Sequence, residues 1–179
     1  MIETVVESIR VSLVTQHRVV ILKEVHGDRH LPIWIGAYEA EAIAMELQGV
    51  VAARPLPYDL IKAIVGDLGG AVDRIVVTEL SQDIYYARIV IQQNGRAVEV
   101  DSRPSDAIAI AVRARVPILV DEAVMERAGV TLGEGDADDD ESALPEGQSG
   151  ERIGEEQLSV FRDFINTLDL DDFDRKKGN

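Results

Sequence analysis

Cysteine is absent from the 179 residues, which excludes a disulfide framework, a thiol nucleophile and the usual structural zinc site. Histidine is scarce, so any metal would rest on carboxylates or on His17, His26 and His30. The last two bracket the turn Gly27-Asp28-Arg29 and read as solvent-exposed turn residues. No apolar run approaches the ~18 residues that cross a bilayer, so a soluble chain with no membrane partner is expected. The start, Met1-Ile2-Glu3-Thr4, carries an acid where a secretory signal carries lysines, which makes the cytoplasm the expected location. Also missing are the Gly-x4-Gly-Lys phosphate loop, the Gly-x-Gly-x2-Gly turn and the Gly-x-Ser-x-Gly elbow. Aromatics make up only 4%, and none interleave with clustered Lys or Arg as in a standing nucleic-acid binder.

Positive charge is in short supply: 18 Lys and Arg against 33 Asp and Glu, a net −15. The deficit is uneven, with 13 against 18 over residues 1–132 and 5 against 15 over residues 133–179. Long-range attraction to phosphates is therefore unfavourable, although Arg54, Arg74, Arg103, Arg113 and Arg115 could still make a local basic surface.

What is present is clear periodicity. Ile9–Leu13, Val19–Val25 and Leu31–Ile35 read as strands, the first two joined through Thr15-Gln16-His17-Arg18. Ala40, Ile43, Ala44, Leu47, Val50 and Val51 space one helix, which Arg54-Pro55 ends. Asp59 opens a second helix that Gly69-Gly70 stops. Ile75–Leu80, Ile84–Ile91 and Ala97–Val100 read as strands, the last two joined by an Asn94-Gly95 hairpin turn. A helix follows Pro104, then a strand at Ile118–Val120 and a short helix over 122–128. The mixture predicts an α+β fold of mainly antiparallel strands, hairpins and packed helices, one compact domain over residues 1–132. An acidic disordered linker is expected over 133–157 and an amphipathic helix with the chain end over 158–179, from Leu158, Phe161, Ile165 and Leu168.

The densest chemistry lies in Asp101-Ser102-Arg103-Pro104-Ser105-Asp106, where a strand gives way to a helix. Such a junction offers free N–H groups and a positive dipole end to an anion, Arg103 adds a bidentate donor, and Ser105 a hydroxyl. Asp101 and Asp106 could hold a divalent cation. The plainer alternative is that Ser105 or Asp106 caps the helix and Asp101 pairs with Arg103. Glu39 and Asp59 open helices, where carboxylates serve dipoles and caps unless a cleft unites them.

Leu31-Pro32-Ile33-Trp34-Ile35-Gly36 with Glu39-Ala40, Arg54-Pro55-Leu56 with Asp59-Leu60, and Asp101–Ala109 with Pro117-Ile118 resemble, in order and spacing, the bifunctional nuclease domain family over roughly residues 5–130. The resemblance implies cleavage of DNA and RNA phosphodiesters, nucleic acid as partner, and hydrophobic subunit contacts that make a homo-oligomer, a dimer in the simplest case. It casts Glu39, Asp59, Asp101, Arg103 and Asp106 as catalytic, working through Mg2+ or Mn2+, with Arg54, Tyr58 and Ser105 binding substrate. Where the family usually reads Arg-Pro-Leu-Thr-His-Asp-Leu, this chain reads Arg54-Pro55-Leu56-Pro57-Tyr58-Asp59-Leu60. Tyr58 thus replaces a natural general base with a group of pKa near ~10, which cannot easily accept a proton at neutral pH. Two readings follow: a metal-assisted nuclease, or a non-catalytic oligomeric module with an anion-binding turn. In the first the acidic tail acts as a nucleic-acid mimic; in the second the C-terminal helix docks on a subunit.

Overall fold

A computed structural model describes residues 1–11 and 17–131. Residues 12–13 of the first expected strand, the turn residues 15 and 16, the linker and the C-terminal helix lie outside the described residues. The elements run β1 (Ile2–Val11), β2 (Arg18–Glu24), β3 (Arg29–Ile35), α1 (Ala37–Leu47), α2 (Pro57–Asp67), β4 (Gly70–Ser81), β5 (Ile84–Gln93), β6 (Arg96–Ser102), α3 (Pro104–Ala114), β7 (Ile118–Val120), α4 (Glu122–Ala128) and β8 (Val130–Thr131). The strands form one sheet in the order β6-β5-β4-β7-β1-β2-β3-β8. All neighbours are antiparallel except β4 and β7, so the mainly antiparallel α+β expectation holds.

Local chemistry explains most boundaries. Asn94 and Gly95 both take positive φ, +50° and +75°, which matches the right-handed strand twist and joins β5 to β6. Gln82 and Asp83 make the same kind of turn between β4 and β5 at φ of 48° and 61°, without a glycine. Pro57 and Pro104 stand at the first positions of α2 and α3, where the missing N–H removes no helix bond. In α4 the Asp121 side chain accepts from Ala123 N at 3.0 Å.

Several boundaries differ from expectation, β4 starting at Gly70 rather than Ile75 among them, and β8 was not expected. β1 begins at Ile2, because Ile2 and Thr4 alternate inward; the buried Thr4 hydroxyl donates to Ile118 O at 3.1 Å, holding β1 against β7. α1 stops at Leu47, because Gly49 takes φ +68° and turns the chain, so Val50 and Val51 lie outside the helix and exposed.

α3 is the centre of the core. Ala107, Ile108, Ala109, Ile110 and Ala111 are all buried, and the small side chains let β3, β4 and β5 all touch the helix. The sheet therefore curls around α3, and Tyr85 Oη on β5 reaches Pro32 O on β3 at 3.4 Å, although four strands separate them in the sheet. Helices α1 and α2 flank α3, which sets three helix starts side by side.

Candidate active site at three helix starts

Glu39 lies in the first turn of α1, Tyr58 in that of α2, and Asp106 in that of α3, with Arg103 as the residue just before α3. Side-chain bonds show that these starts meet. Arg103 Nε donates to Asp106 Oδ2 at 2.7 Å and Nη2 to Asp106 Oδ1 at 3.0 Å, a bidentate pair. The same Nη2 donates to Glu39 Oε1 at 2.7 Å, and Tyr58 Oη donates to Asp106 Oδ1 at 3.1 Å. No side chain caps the N-termini of α1 or α3 among the described residues. The Glu39 carboxylate already lies over Gly36 at the start of α1, so α3 is the helix start that offers uncapped first-turn N–H groups to an anion.

The guanidinium side chain is 67% exposed while that of Glu39 is only 13% exposed, so Arg103 forms the lip of the site and Glu39 its floor. Asp106 and Glu39 hold Arg103 more firmly charged than a free arginine. Burial, reinforced by the neighbouring Asp106 carboxylate, pushes the Tyr58 hydroxyl up to about 12. At neutral pH Tyr58 is a proton donor.

The remaining candidates fall elsewhere. Asp59 belongs to the scaffold: Oδ2 accepts from Leu56 N at 2.8 Å at the head of α2, and Oδ1 accepts from Arg113 Nε at 2.9 Å. Asp101 is exposed on β6 opposite Arg88, and strand alternation sets it on the sheet face away from Val100 and Ile89, hence away from α3. The pairing of Asp101 with Arg103 is replaced by the Glu39 and Asp106 bonds, because the strand points Asp101 the wrong way. Ser105 is buried and Arg54 is exposed in the loop before α2. Neither Ser105 nor Asp106 caps α3.

Arg113 escaped the sequence reading, which set it on a basic surface. It is buried, its guanidinium donating to Asp59, to Ala109 O at 2.9 Å and to Ala42 O at 2.9 Å, with its Cζ 5.4 Å from the Tyr58 ring centre. One arginine thus ties α1, α2 and α3 together beneath the site. His30 is also a correction: it lies in β3, not in a turn, and is buried, with Nε2 3.3 Å from Glu7 Oε1.

Among the described residues no group of three or more His, Asp or Glu side chains is placed to hold a metal ion. Among the described residues of the cluster, Glu39 and Asp106 are bridged by the Arg103 guanidinium, so as arranged these two carboxylates do not together fit Mg2+ or Mn2+.

The bifunctional nuclease domain model matches residues 20–133, which include every residue of this cluster. The chain belongs to the bifunctional nuclease domain family. An uncharacterized protein of Mycobacterium tuberculosis is 38% identical over 171 residues, covering 96% of this chain and 97% of that one. Bifunctional nuclease 1 of Oryza sativa subsp. indica is 31% identical over 119 residues, 65% of this chain and 36% of its own. Bifunctional nuclease 1 of Arabidopsis thaliana is 34% identical over 110 residues, 59% of this chain and 34% of its own. The chain thus spans about a third of the plant proteins. No helix among the described residues is long and apolar enough to cross a membrane.

Proposed function

We propose that the chain hydrolyses phosphodiester bonds of nucleic acid at the meeting point of α1, α2 and α3. The observation that carries this reading is the Arg103-centred cluster: an exposed arginine, open helix-start N–H groups, a proton donor and a carboxylate with an uncommitted oxygen in one place. The plant relatives' name supplies the substrate class, DNA or RNA.

In this scheme a phosphate displaces part of the Arg103 contact and takes its charge together with the helix-start N–H groups. Asp106, with both oxygens already occupied, orients Arg103 and Tyr58. Glu39 Oε1 takes Arg103, whereas Oε2 has no hydrogen bond among the described contacts and accepts the proton of the attacking water. The water oxygen bonds to phosphorus, the ester bond breaks, and Tyr58 gives its proton to the leaving oxygen. Tyr58 then plays the opposite part to a histidine base.

Cleavage of labelled single- and double-stranded DNA and RNA, with EDTA, Mg2+ or Mn2+, tests the reading against Arg103→Gln and Glu39→Gln. Losses of about 100-fold or more in both variants are expected. Wild-type rates in either variant, or no cleavage by the wild type under any condition, overturn it. Self-association is proposed as well, through the outward stripe of Leu60, Ile61 and Ile64 on α2, continued by Leu68 just past its end, the helix having no buried residue.

A further inference from the structure

Gly36 immediately precedes α1 with φ −70° and ψ 163°, an extended conformation open to any residue. Its lack of a side chain is therefore not a backbone requirement. The reason lies in what fills the space. A Cβ at Gly36 would stand 3.0 Å from the carboxyl carbon of Glu39 and closer still to Oε2, and beyond its two chain neighbours the three nearest atoms all belong to Glu39. The Glu39 carboxylate folds back over the bare Cα, one oxygen resting there and the other reaching Arg103 at 2.7 Å.

We propose that Gly36 is a positioning residue, whose missing side chain is the seat that holds the Glu39 carboxylate against Arg103. The inference rests on the nuclease reading for its catalytic consequence but not for its geometry. A methyl group at this position forces the carboxylate out of its seat. Glu39 is a flexible side chain, so the fold adjusts easily while the Glu39–Arg103 bond is lost. Backbone and site then respond in opposite directions. Glycine-to-alanine replacement at a compatible φ and ψ narrows the unfolded ensemble and leaves stability unchanged or raised. The displaced carboxylate can no longer accept a proton at the same point, and misplacements of about 1 Å cost up to about 100-fold in rate.

The test compares Gly36→Ala, Glu39→Ala and the double variant. Expected are a melting temperature for Gly36→Ala at or above wild type, a fall of about 10- to 100-fold in kcat with a smaller change in KM, and no further loss when Gly36→Ala is added to Glu39→Ala. The non-additivity is the readout that a merely structural glycine would not move. An independent arm follows the Arg103 Nη–H resonances, identified with Arg103→Lys, in nitrogen–proton spectra: Gly36→Ala should shift them, as should Glu39→Ala, because Nη2 is the nitrogen that donates to Glu39. Unchanged spectra and activity in Gly36→Ala, or equal losses with Glu39 present or absent, overturn the proposal. If the wild type cleaves nothing the nuclease reading fails alone, and the resonance shift still decides the role of Gly36.

Discussion

Replacing Arg113 by methionine keeps much of the buried stem and removes the charge, which isolates the guanidinium's contribution. That group makes three bonds of 2.9 Å, to Asp59 Oδ1, Ala109 O and Ala42 O, and its side chain is only 3% exposed. Breaking a buried ion pair from one side costs about 3–5 kcal/mol when the partner is left buried and charged. Here the partner Asp59 is 38% exposed and rehydrates, while the two carbonyls lie within helices and keep their ladder bonds. The cost of Arg113→Met should therefore fall to about 2–3 kcal/mol. For a domain of this size that lowers the melting temperature by roughly 6–12 °C. Asp59→Ala is the more severe change, because it leaves the guanidinium buried without its carboxylate and also deprives Leu56 N of its acceptor. About 3–5 kcal/mol is expected, the lost cap accounting for ~1 of it. The double variant should cost clearly less than the sum, since each single change already breaks the shared pair. Denaturant unfolding of the full chain measures all three. Arg113→Met within about 0.5 kcal/mol of wild type, or Asp59→Ala milder than Arg113→Met, would refute the reasoning.

Tyr58 and Tyr85 are both pushed up to about 12, chiefly by burial, so the folded state holds their protons over a range where the unfolded chain has lost them. Their contribution to stability is complete below pH ~10 and is lost as pH rises towards about 12; Tyr58→Phe should remove one late step from the tyrosinate absorbance titration and reduce that alkaline loss. Arg115 ends α3 at φ +57° and ψ +48°, the left-handed region, so Arg115→Gly should raise stability by about 0.5–1 kcal/mol in thermal or denaturant unfolding. If the α2 stripe joins two copies, Leu60→Glu with Ile64→Glu should convert the oligomer to monomer in sedimentation, and an unchanged mass would remove that interface.

The local parts of this fold were legible because local chemistry decides them. Asn94-Gly95 admits one kind of turn, Pro104 opens a helix directly after a strand, and Gly69 with φ +77° follows the second helix as expected. The junction at Asp101–Asp106 was legible as a place where polar side chains gather, but not which of its two acids joins the cluster: strand alternation sends Asp101 to the far face, and alternation depends on where β6 starts pairing with β5. The parallel β4–β7 pair was not legible at all, since a strand as short as β7, far from β4 in sequence, chooses its partner through the tertiary core. Arg113 read as surface because arginine near a helix end commonly is. Its burial had one sequence signal: the run Ala107–Ala111 is apolar around its whole circumference, so the helix has little outer face and an arginine one turn further on must find partners inside.

The arrangement of the acids bears on enzyme against binding module. A pocket that only binds phosphate gains from Arg103 and the helix-start N–H groups and loses from each carboxylate beside them, because like charges repel at short range. Asp106 has a structural reason to be there: it grips Arg103 through both oxygens and takes the Tyr58 proton donor, which fixes the direction of both groups. Glu39, in the first turn of α1, favours that helix's dipole but does little to fix its neighbours. Its bond goes to Arg103 Nη2, a nitrogen that Asp106 already holds, so it adds little orientation while bringing a second negative charge to the phosphate position. It also takes up the space at Gly36 that a side chain would otherwise fill. A carboxylate that lowers anion affinity, duplicates an existing contact and keeps one oxygen uncommitted makes physical sense as a proton acceptor, which is the role a hydrolase needs and a binding module does not.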